Sequence, residues 1–95
     1  GFERPVLALK VFGSIFWGLP ITSSDPEGKK ETNPLFYKID GIPYLNDAGE
    51  EKSLHGFVAL HQLRAYDARR LQRKIVKMDT GVFEVILKRV RELLI

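Results

Sequence analysis

An arginine and two hydroxyl side chains near the start of this 95-residue chain have the types and spacing needed to hold a phosphate. Arg4 lies at the start of the first predicted strand, and Thr22 and Ser23 lie at the end of the second. If the two strands pair as a hairpin, the guanidinium and the hydroxyls converge on one site. A guanidinium can hold two phosphate oxygens at once, and hydroxyls can hydrogen-bond the same group. The pattern therefore predicts a site for a phosphodiester.

Aromatic and polar residues further along the chain are candidates for substrate binding. Phe16 and Trp17 are adjacent on the second predicted strand, so their side chains point to opposite faces. One belongs in the core, and the other either stacks on a base or lies in the core or at a dimer interface. Gln62 and Arg64 are two residues apart on another predicted strand. They therefore share a face and can contact bases or phosphates.

The composition indicates one small globular domain and excludes several kinds of chemistry. The chain is 44% hydrophobic and 28% charged, and it contains no cysteine, which excludes disulfides and thiolate chemistry. A disulfide-free domain with no apolar run of the roughly 20 residues needed to cross a bilayer fits the cytoplasm rather than a membrane. The sequence shows no glycine-rich phosphate loop and no clustered metal ligands, so neither a cofactor nor a metal is expected.

Charge is unevenly distributed along the chain. The net charge is +3, and residues 64–77 hold six basic side chains against one acidic side chain, Asp67. A basic segment of this kind attracts polyanions, RNA among them. The alternative interpretation is a solvated face with no partner.

Turn signals and apolar patterns predict short strands followed by one helix. The predicted strands cover residues 4–11, 15–22, 35–39, 42–45, 54–63 and 74–78. The predicted turns and loops are Gly13-Ser14, Asp40-Gly41, 23–34, 46–52 and a short helical turn over 67–71. The second strand is apolar on both faces, which favours a central position or an interface. Apolar residues spaced three and four apart predict a C-terminal helix over 79–95, capped by Asp79 or Thr80. The fold class is therefore mainly β with one helix, in a small, strongly bent sheet or barrel.

Three blocks of sequence, in order, resemble the MazF/PemK family of toxin endoribonucleases. The first is Arg-Pro-Val-Leu at residues 4–7, and the second is Leu-Pro-Ile-Thr-Ser at 19–23. The third, residues 60–71, has the form Leu-x-Gln-x-Arg-x-x-Asp-x-x-Arg-Leu and is followed by Arg-Lys-Ile-Val at 73–76. The chain ends, like members of that family, with a helix that contains a Leu-Leu pair.

The resemblance implies an SH3-like barrel of the MazF/PemK/CcdB type that forms a homodimer. It implies metal-independent cleavage of single-stranded RNA at a short sequence, and a cognate antitoxin whose acidic segment fills the RNA site. The family positions tied to catalysis match Arg4 and Thr22. Arginine has a pKa above about 12, so Arg4 is assigned to stabilising charge in the transition state. Thr22 would hydrogen-bond a phosphate oxygen or the 2′-hydroxyl, with Ser23 as its helper.

The chain also departs from the family pattern, and two other functions stay open. Family members usually begin with a further strand and a long loop before the position of Arg4, so residues 1–95 are expected to be one N-terminally truncated domain. The first alternative is a non-catalytic barrel module that binds an antitoxin-like peptide or nucleic acid. The second is an acid–base enzyme that uses His55 and His61. On one continuous strand those histidines would lie about 20 Å apart, too far to flank a phosphorus atom.

Overall fold

The structure, a computed structural model, describes residues 5–23, 25, 27–45, 48–70, 75–76 and 80–94. Those residues form strands β1 (Val6–Phe12), β2 (Ile15–Thr22), β3 (Phe36–Leu45), β4 (Glu51–Ala59), β5 (Arg64–Asp67) and β6 (Ile75–Val76), and helix α1 (Thr80–Leu94). The predicted class, mainly β with one C-terminal helix, is confirmed. The cap predicted at Asp79 lies outside the described residues.

The first two strands form the predicted hairpin. β1 and β2 pair antiparallel around a turn at Gly13 and Ser14, with Val6 opposite Pro20 and Phe12 opposite Ile15. Gly13 has a φ of +62°, which the tight turn requires and which a residue with a Cβ adopts only at a cost.

β2 is the central strand of the sheet. The strand order is β3-β4-β2-β1-β6, and β5 pairs with the first half of β2. The pairs are antiparallel except for β1 with β6, which is parallel. The central position predicted from the two apolar faces of β2 is confirmed. Among the described residues the edge strands β3 and β6 do not pair with each other.

The predicted turn at Asp40-Gly41 is wrong. β3 runs straight through it, and the register with β4 shifts by one residue between Asp40 and Ile42. Gly41 has a φ of +73°, the conformation that a bulge of the strand uses as readily as a hairpin turn does. The chain instead reverses after Leu45, and β4 begins at Glu51.

The predicted strand over 54–63 is also wrong at its C-terminal end. β4 ends at Ala59, and the Gln62 N–H donates to the Ala59 carbonyl at 3.2 Å, closing a turn before β5. This turn contains neither Gly nor Pro, so the sequence pattern does not reveal it. Within the helical turn predicted over 67–71, residues 68–70 form a turn, and within the strand predicted over 74–78, residues 75–76 form β6. Residues 71, 74, 77 and 78 lie outside the described residues.

The core lies between the sheet and α1. A cluster of buried apolar side chains joins β1, β2, β3, β4 and the helix: Leu7, Leu19, Ile21, Ile39, Leu54, Val58, Leu60, Ile86 and Val90. A helix of this length is marginal in water alone, so its apolar stripe must dock on the sheet. Within the described ranges, no helix combines the length and apolarity that a membrane span requires.

Candidate functional site

Five side chains from three adjacent strands share one face of the sheet, named here the outer face. The register pairs Thr22 at the end of β2 with Phe57 of β4, and Phe57 in turn with Lys38 of β3. One row along, it pairs His55 of β4 with Asp40 of β3. Directly opposite residues in an antiparallel ladder point the same way, as do residues two apart on a strand. The outer face therefore carries a hydroxyl, an aromatic ring, an ammonium, an imidazole and a carboxylate.

Burial of the intervening residues confirms this assignment of faces. Ile21 precedes Thr22, Val58 follows Phe57, and Ile39 separates Lys38 from Asp40, and all three are buried in the core. The side chains of Lys38, Asp40 and His55 are exposed, whereas Thr22 and Phe57 are half-buried. The apolar residues of each strand thus hold it against the core and leave the polar residues turned outward.

A pocket opens on the outer face. It has a volume of about 260 Å³ and is lined by Ser23, Lys38, Ile39, Asp40, His55, Gly56 and Phe57. A hydroxyl, a cation, and an imidazole with its carboxylate partner thus border one concave space beside the end of β2. These groups can bind an anionic, hydrogen-bonding substrate and exchange protons with it.

Gly56 allows β2 and β4 to approach closely at this pocket. Its φ is +145°, and a Cβ added there would lie 2.6 Å from the Thr22 carbonyl oxygen. Any larger residue would push the end of β2 away from β4. Glycine at this position therefore determines how near Thr22 and Ser23 lie to the side chains of β4.

The side chains of Asp40 on β3 and His55 on β4 lie within ion-pair distance of each other. The His55 Nδ1 atom lies 2.9 Å from the Asp40 Oδ1 atom. An ionised carboxylate has no proton to donate, so this contact places the ring proton on Nδ1 and leaves Nε2 as the second atom for proton transfer. Sequence reasoning missed the pair because Asp40 was assigned to a turn. Continuing β3 past Gly41 would have placed it opposite His55.

Lys38 is a permanent cation on the outer face. Its Nζ atom lies 2.9 Å from Glu31 Oε1, and the hydrogen bond and negative charge of Glu31 raise the pKa of the lysine above its ordinary value. The ammonium is therefore fully protonated at neutral pH. Both side chains are exposed, so the ion pair can exchange Glu31 for a phosphate of a bound substrate.

The predicted catalytic residues are only partly described. Arg4 lies outside the described residues, although the carbonyl of the next residue, Pro5, accepts a hydrogen bond from the Ile21 N–H at 3.0 Å. Thr22 is half-buried on the outer face, and Ser23 lines the pocket. The structure thus places Thr22 on the outer face and Ser23 at its pocket.

Trp17 lies on a different part of the molecule. Phe16 is buried and stacks on Tyr66 with ring centroids 5.4 Å apart, whereas Trp17 is 44% exposed. The prediction that one of the two aromatic residues is in the core is confirmed. Trp17 is an odd number of residues from Thr22 along β2, so it points to the opposite face of the strand. The structure does not bring it to the pocket.

Gln62 and Arg64 do not lie on a common strand. Gln62 belongs to the turn before β5, and its Nε2 atom lies 3.3 Å from the His61 ring. Arg64 begins β5 opposite Gly18, and its side chain is exposed. Gly18 and Thr22 are four residues apart on β2, so Arg64 lies on the Thr22 side of that strand, about 13 Å along it.

The basic segment is partly neutralised by its own acidic residue. Arg69 donates to Asp67 through Nε at 3.2 Å and Nη2 at 3.1 Å. These bonds lower the pKa of Asp67 and raise that of Arg69. Arg70 also lies 4.0 Å from the same carboxylate. The other basic residues of the segment, Arg73, Lys74 and Lys77, lie outside the described residues.

The described part of the chain contains no group of three His, Asp or Glu side chains that could hold a metal ion. His61 Nδ1 lies 3.4 Å from the Leu35 carbonyl, and its ring meets the Phe36 ring edge-on. The two histidines thus have separate surroundings, and only His55 borders the pocket with Ser23.

In comparisons with known proteins, no family model, no curated protein and no solved structure matches this chain.

Proposed function

We propose that this chain is an endoribonuclease that cleaves single-stranded RNA without a metal, as the toxin of a type II toxin–antitoxin system. The observation that carries the proposal is the outer face. It carries Thr22 and Lys38 on either side of Phe57, beside an open pocket lined by Lys38 and Ser23. The three ordered sequence blocks that resemble the MazF/PemK family support the same activity.

The proposed site acts by alignment and charge stabilisation. RNA cleaves itself when its 2′-hydroxyl is held in line with the phosphorus and the leaving 5′-oxygen. The Lys38 ammonium and the Thr22 hydroxyl hold the phosphate oxygens, because the two side chains flank Phe57 in adjacent strands. Arg4 stabilises the negative charge that develops on those oxygens. Ser23 supplies a further hydrogen bond from the rim of the pocket.

Phe57 supplies the surface on which a base can stack. Its half-buried ring lies between Thr22 and Lys38 on the outer face. Stacking on an aromatic ring is the usual way that proteins hold unpaired bases, and it tolerates different sequences. A base over Phe57 keeps the adjoining phosphate between the hydroxyl and the ammonium.

The proposed fold is an SH3-like barrel in which β2 is shared by two halves of the sheet. The first half of β2 pairs with β1 and β5, and its last two residues pair with β4, which supports this proposal. The proposed homodimer is supported by exposed apolar side chains at the end of the β1–β2 hairpin. The proposed antitoxin segment is acidic and competes with RNA for Lys38 and Arg64.

A cleavage assay tests the function. The 95-residue chain is mixed with a long single-stranded RNA in EDTA, beside the variants Arg4→Ala and Thr22→Ala. We expect discrete fragments with the parent chain and none with either variant. Thr32→Ala is the matched control, because Thr32 is an exposed threonine whose hydroxyl donates to the Lys29 carbonyl at 3.4 Å, away from the outer face.

The outcomes separate the two candidate functions. Fragments that disappear with Thr22→Ala and persist with Thr32→Ala establish a ribonuclease centred on the outer face. Cleavage that survives both Arg4→Ala and Thr22→Ala contradicts the site. A folded chain that binds RNA or an acidic peptide but never cuts RNA supports the non-catalytic binding module.

A further inference from the structure

We propose that the Asp40–His55 pair transfers the proton in RNA cleavage, with His55 as the general base and Asp40 as its positioning residue. This inference rests on the proposed ribonuclease function and names the group that this function otherwise lacks. Neither an arginine nor a threonine is a good base at neutral pH, whereas an imidazole is.

The register brings His55 within reach of the phosphate that Thr22 holds. Thr22 is directly opposite Phe57, and His55 is two residues from Phe57 on the same strand. Thr22 and His55 are therefore diagonal neighbours on the outer face, about 7–8 Å apart at the backbone. A phosphodiester group fits between a hydroxyl and an imidazole at that spacing, with one partner on each side.

The Asp40 contact fixes which ring nitrogen of His55 can accept a proton. With Asp40 Oδ1 at 2.9 Å from Nδ1, the ring proton stays on Nδ1, and Nε2 is the atom that accepts a proton. When Nε2 is protonated, the carboxylate stabilises the resulting imidazolium. The ring lines the pocket beside Ser23, so a substrate in that pocket meets the imidazole directly.

Two glycines with unusual backbone conformations flank the pair. Gly41 follows Asp40 with a φ of +73°, and Gly56 follows His55 with a φ of +145°. Gly41 also lies against the ring, since a Cβ added there would be 3.9 Å from His55 Cε1. The bulge at Gly41 and the close strand approach at Gly56 set the two side chains relative to Thr22. Such backbone features inside strands are typical of places where a side chain must be aimed.

The charged groups that face His55 come from the neighbouring strand. β3 contributes Asp40 in direct contact and Lys38 one row away, and Lys38 is itself paired with Glu31. From the described end of β2, the Ser23 hydroxyl lines the pocket, and its neighbour Thr22 is also uncharged. His55 therefore has the Asp40 carboxylate in contact with its ring and the Lys38 ammonium nearby, where it can hold the phosphate.

The proposed step needs only the RNA, the His55 imidazole and water. His55 Nε2 takes the 2′-hydroxyl proton, and the O2′–P bond forms as the P–O5′ bond breaks. The leaving 5′-oxygen takes a proton from water, and the imidazolium returns its proton to the hydroxide. The products are a 2′,3′-cyclic phosphate and a 5′-hydroxyl. The imidazole must be neutral to accept the proton, so the rate falls as the pH is lowered.

The test measures single-turnover cleavage of RNA by the 95-residue chain and its variants across pH. His55→Gln is expected to lower the rate by about 10²–10⁴-fold and to abolish the fall in rate on the acidic side. Asp40→Asn is expected to give a smaller loss and to shift that acidic limb. His61→Gln is the matched control and leaves rate and profile unchanged, because that ring contacts the Leu35 carbonyl outside the pocket.

Chemical rescue separates proton transfer from a structural role. Free imidazole is expected to restore part of the rate of His55→Ala and none of the rate of Thr22→Ala. The Asp40 and His55 side chains are 75% and 62% exposed, so their substitution leaves the fold intact, which far-ultraviolet circular dichroism checks.

The failures of the two proposals are distinguishable. If the parent chain cuts RNA and His55→Gln cuts it at the same rate with the same pH profile, the proton-transfer role is overturned and the ribonuclease stands. If the parent chain cuts no RNA, both proposals are overturned. The role of His55 is also overturned if His55→Gln lowers the rate but its residual activity keeps the same acidic limb, and free imidazole does not rescue His55→Ala.

Discussion

The two ends of β2 present opposite kinds of surface. At its C-terminal end, Thr22 lies on the polar outer face, and the next residue, Ser23, lines the pocket. At its N-terminal end, the β1–β2 hairpin exposes three large apolar side chains on one face, named here the hairpin patch: Phe12, Ile15 and Trp17. Exposed apolar groups gathered in one place are typical of an association surface, whereas interleaved polar groups around a concavity are typical of a binding site.

The contrast explains how so small a chain can hold both surfaces. The middle of β2 is buried on both sides, with Leu19 facing the helix cluster and Phe16 stacked on Tyr66. The strand is therefore anchored at its centre and carries a different surface at each end. A change at one end should leave the other end unaffected, and the predictions below test that separation.

The largest expected effect is at Gly56, which joins the outer face to the core. Gly56→Ala places a Cβ 2.6 Å from the Thr22 carbonyl oxygen at a φ that side chains rarely adopt, and we expect a loss of about 3 kcal/mol in unfolding free energy. Urea unfolding measures it. Gly28→Ala is the control, because Gly28 has a φ of +66° but open space around it, so about 1 kcal/mol is expected. Equal losses would contradict the close approach of β2 and β4.

The next effect concerns association through the hairpin patch. Phe12 is 52% exposed, and Phe12→Glu would place a carboxylate in an apolar interface. We expect the dimer dissociation constant to rise at least about tenfold, which corresponds to about 1.4 kcal/mol. Sedimentation velocity over a range of concentrations measures it. Val85→Glu, on the exposed side of the helix, should leave association unchanged. A parent chain that is monomeric throughout would contradict the proposed dimer.

Phe57 tests the proposed stacking surface at the other end of β2. Phe57→Leu keeps an apolar side chain of similar size but removes the ring, and we expect RNA affinity to fall about tenfold, because stacking contributes about 1–3 kcal/mol per base. Fluorescence anisotropy with a labelled single-stranded RNA, at a stated salt concentration, measures the change. The same affinity for Phe57→Leu and the parent chain would exclude the ring as a base platform.

Trp17 sharpens the comparison, because the sequence left open whether it stacks on a base or lies at an interface. Its position in the hairpin patch, on the side of β2 away from Thr22, favours the interface. Trp17→Ala should therefore weaken self-association by several-fold while leaving RNA affinity unchanged. Sedimentation velocity measures the association, and fluorescence anisotropy measures the RNA affinity. Lower RNA affinity with unchanged association would reverse the assignment.

Local patterns in the sequence predicted the fold better than they predicted the site. The hairpin of β1 and β2, the central position of β2 and the C-terminal helix follow from alternation, turn residues and helical spacing, and all are present. The Asp40–His55 pair depends on whether Gly41 makes a turn or a bulge. Both conformations use the same φ, so long-range pairing with β4 decides between them. The turn after Ala59 lacks turn residues and is formed by contacts that only the folded chain provides.

The smallest expected effect is on the Asp67–Arg69 pair, which lies beside the hairpin patch because Asp67 is directly opposite Ile15. Arg69 lowers the pKa of Asp67 in the folded chain, so this carboxylate contributes stability above its unfolded pKa of 3.8, and the contribution is lost as the pH falls through the folded value. Asp67→Asn should therefore flatten the acid side of the pH dependence of urea unfolding. Arg69→Gln should do so only in part, because the backbone N–H of residue 69 and the Arg70 side chain still face the carboxylate. In a double-mutant cycle the second substitution should then add little. Additive losses would show that each side chain acts through another contact. A small, coupled effect on stability here, beside a loss of cleavage and a shifted acidic limb for Asp40→Asn at unchanged stability, would separate a surface ion pair from one that acts in catalysis.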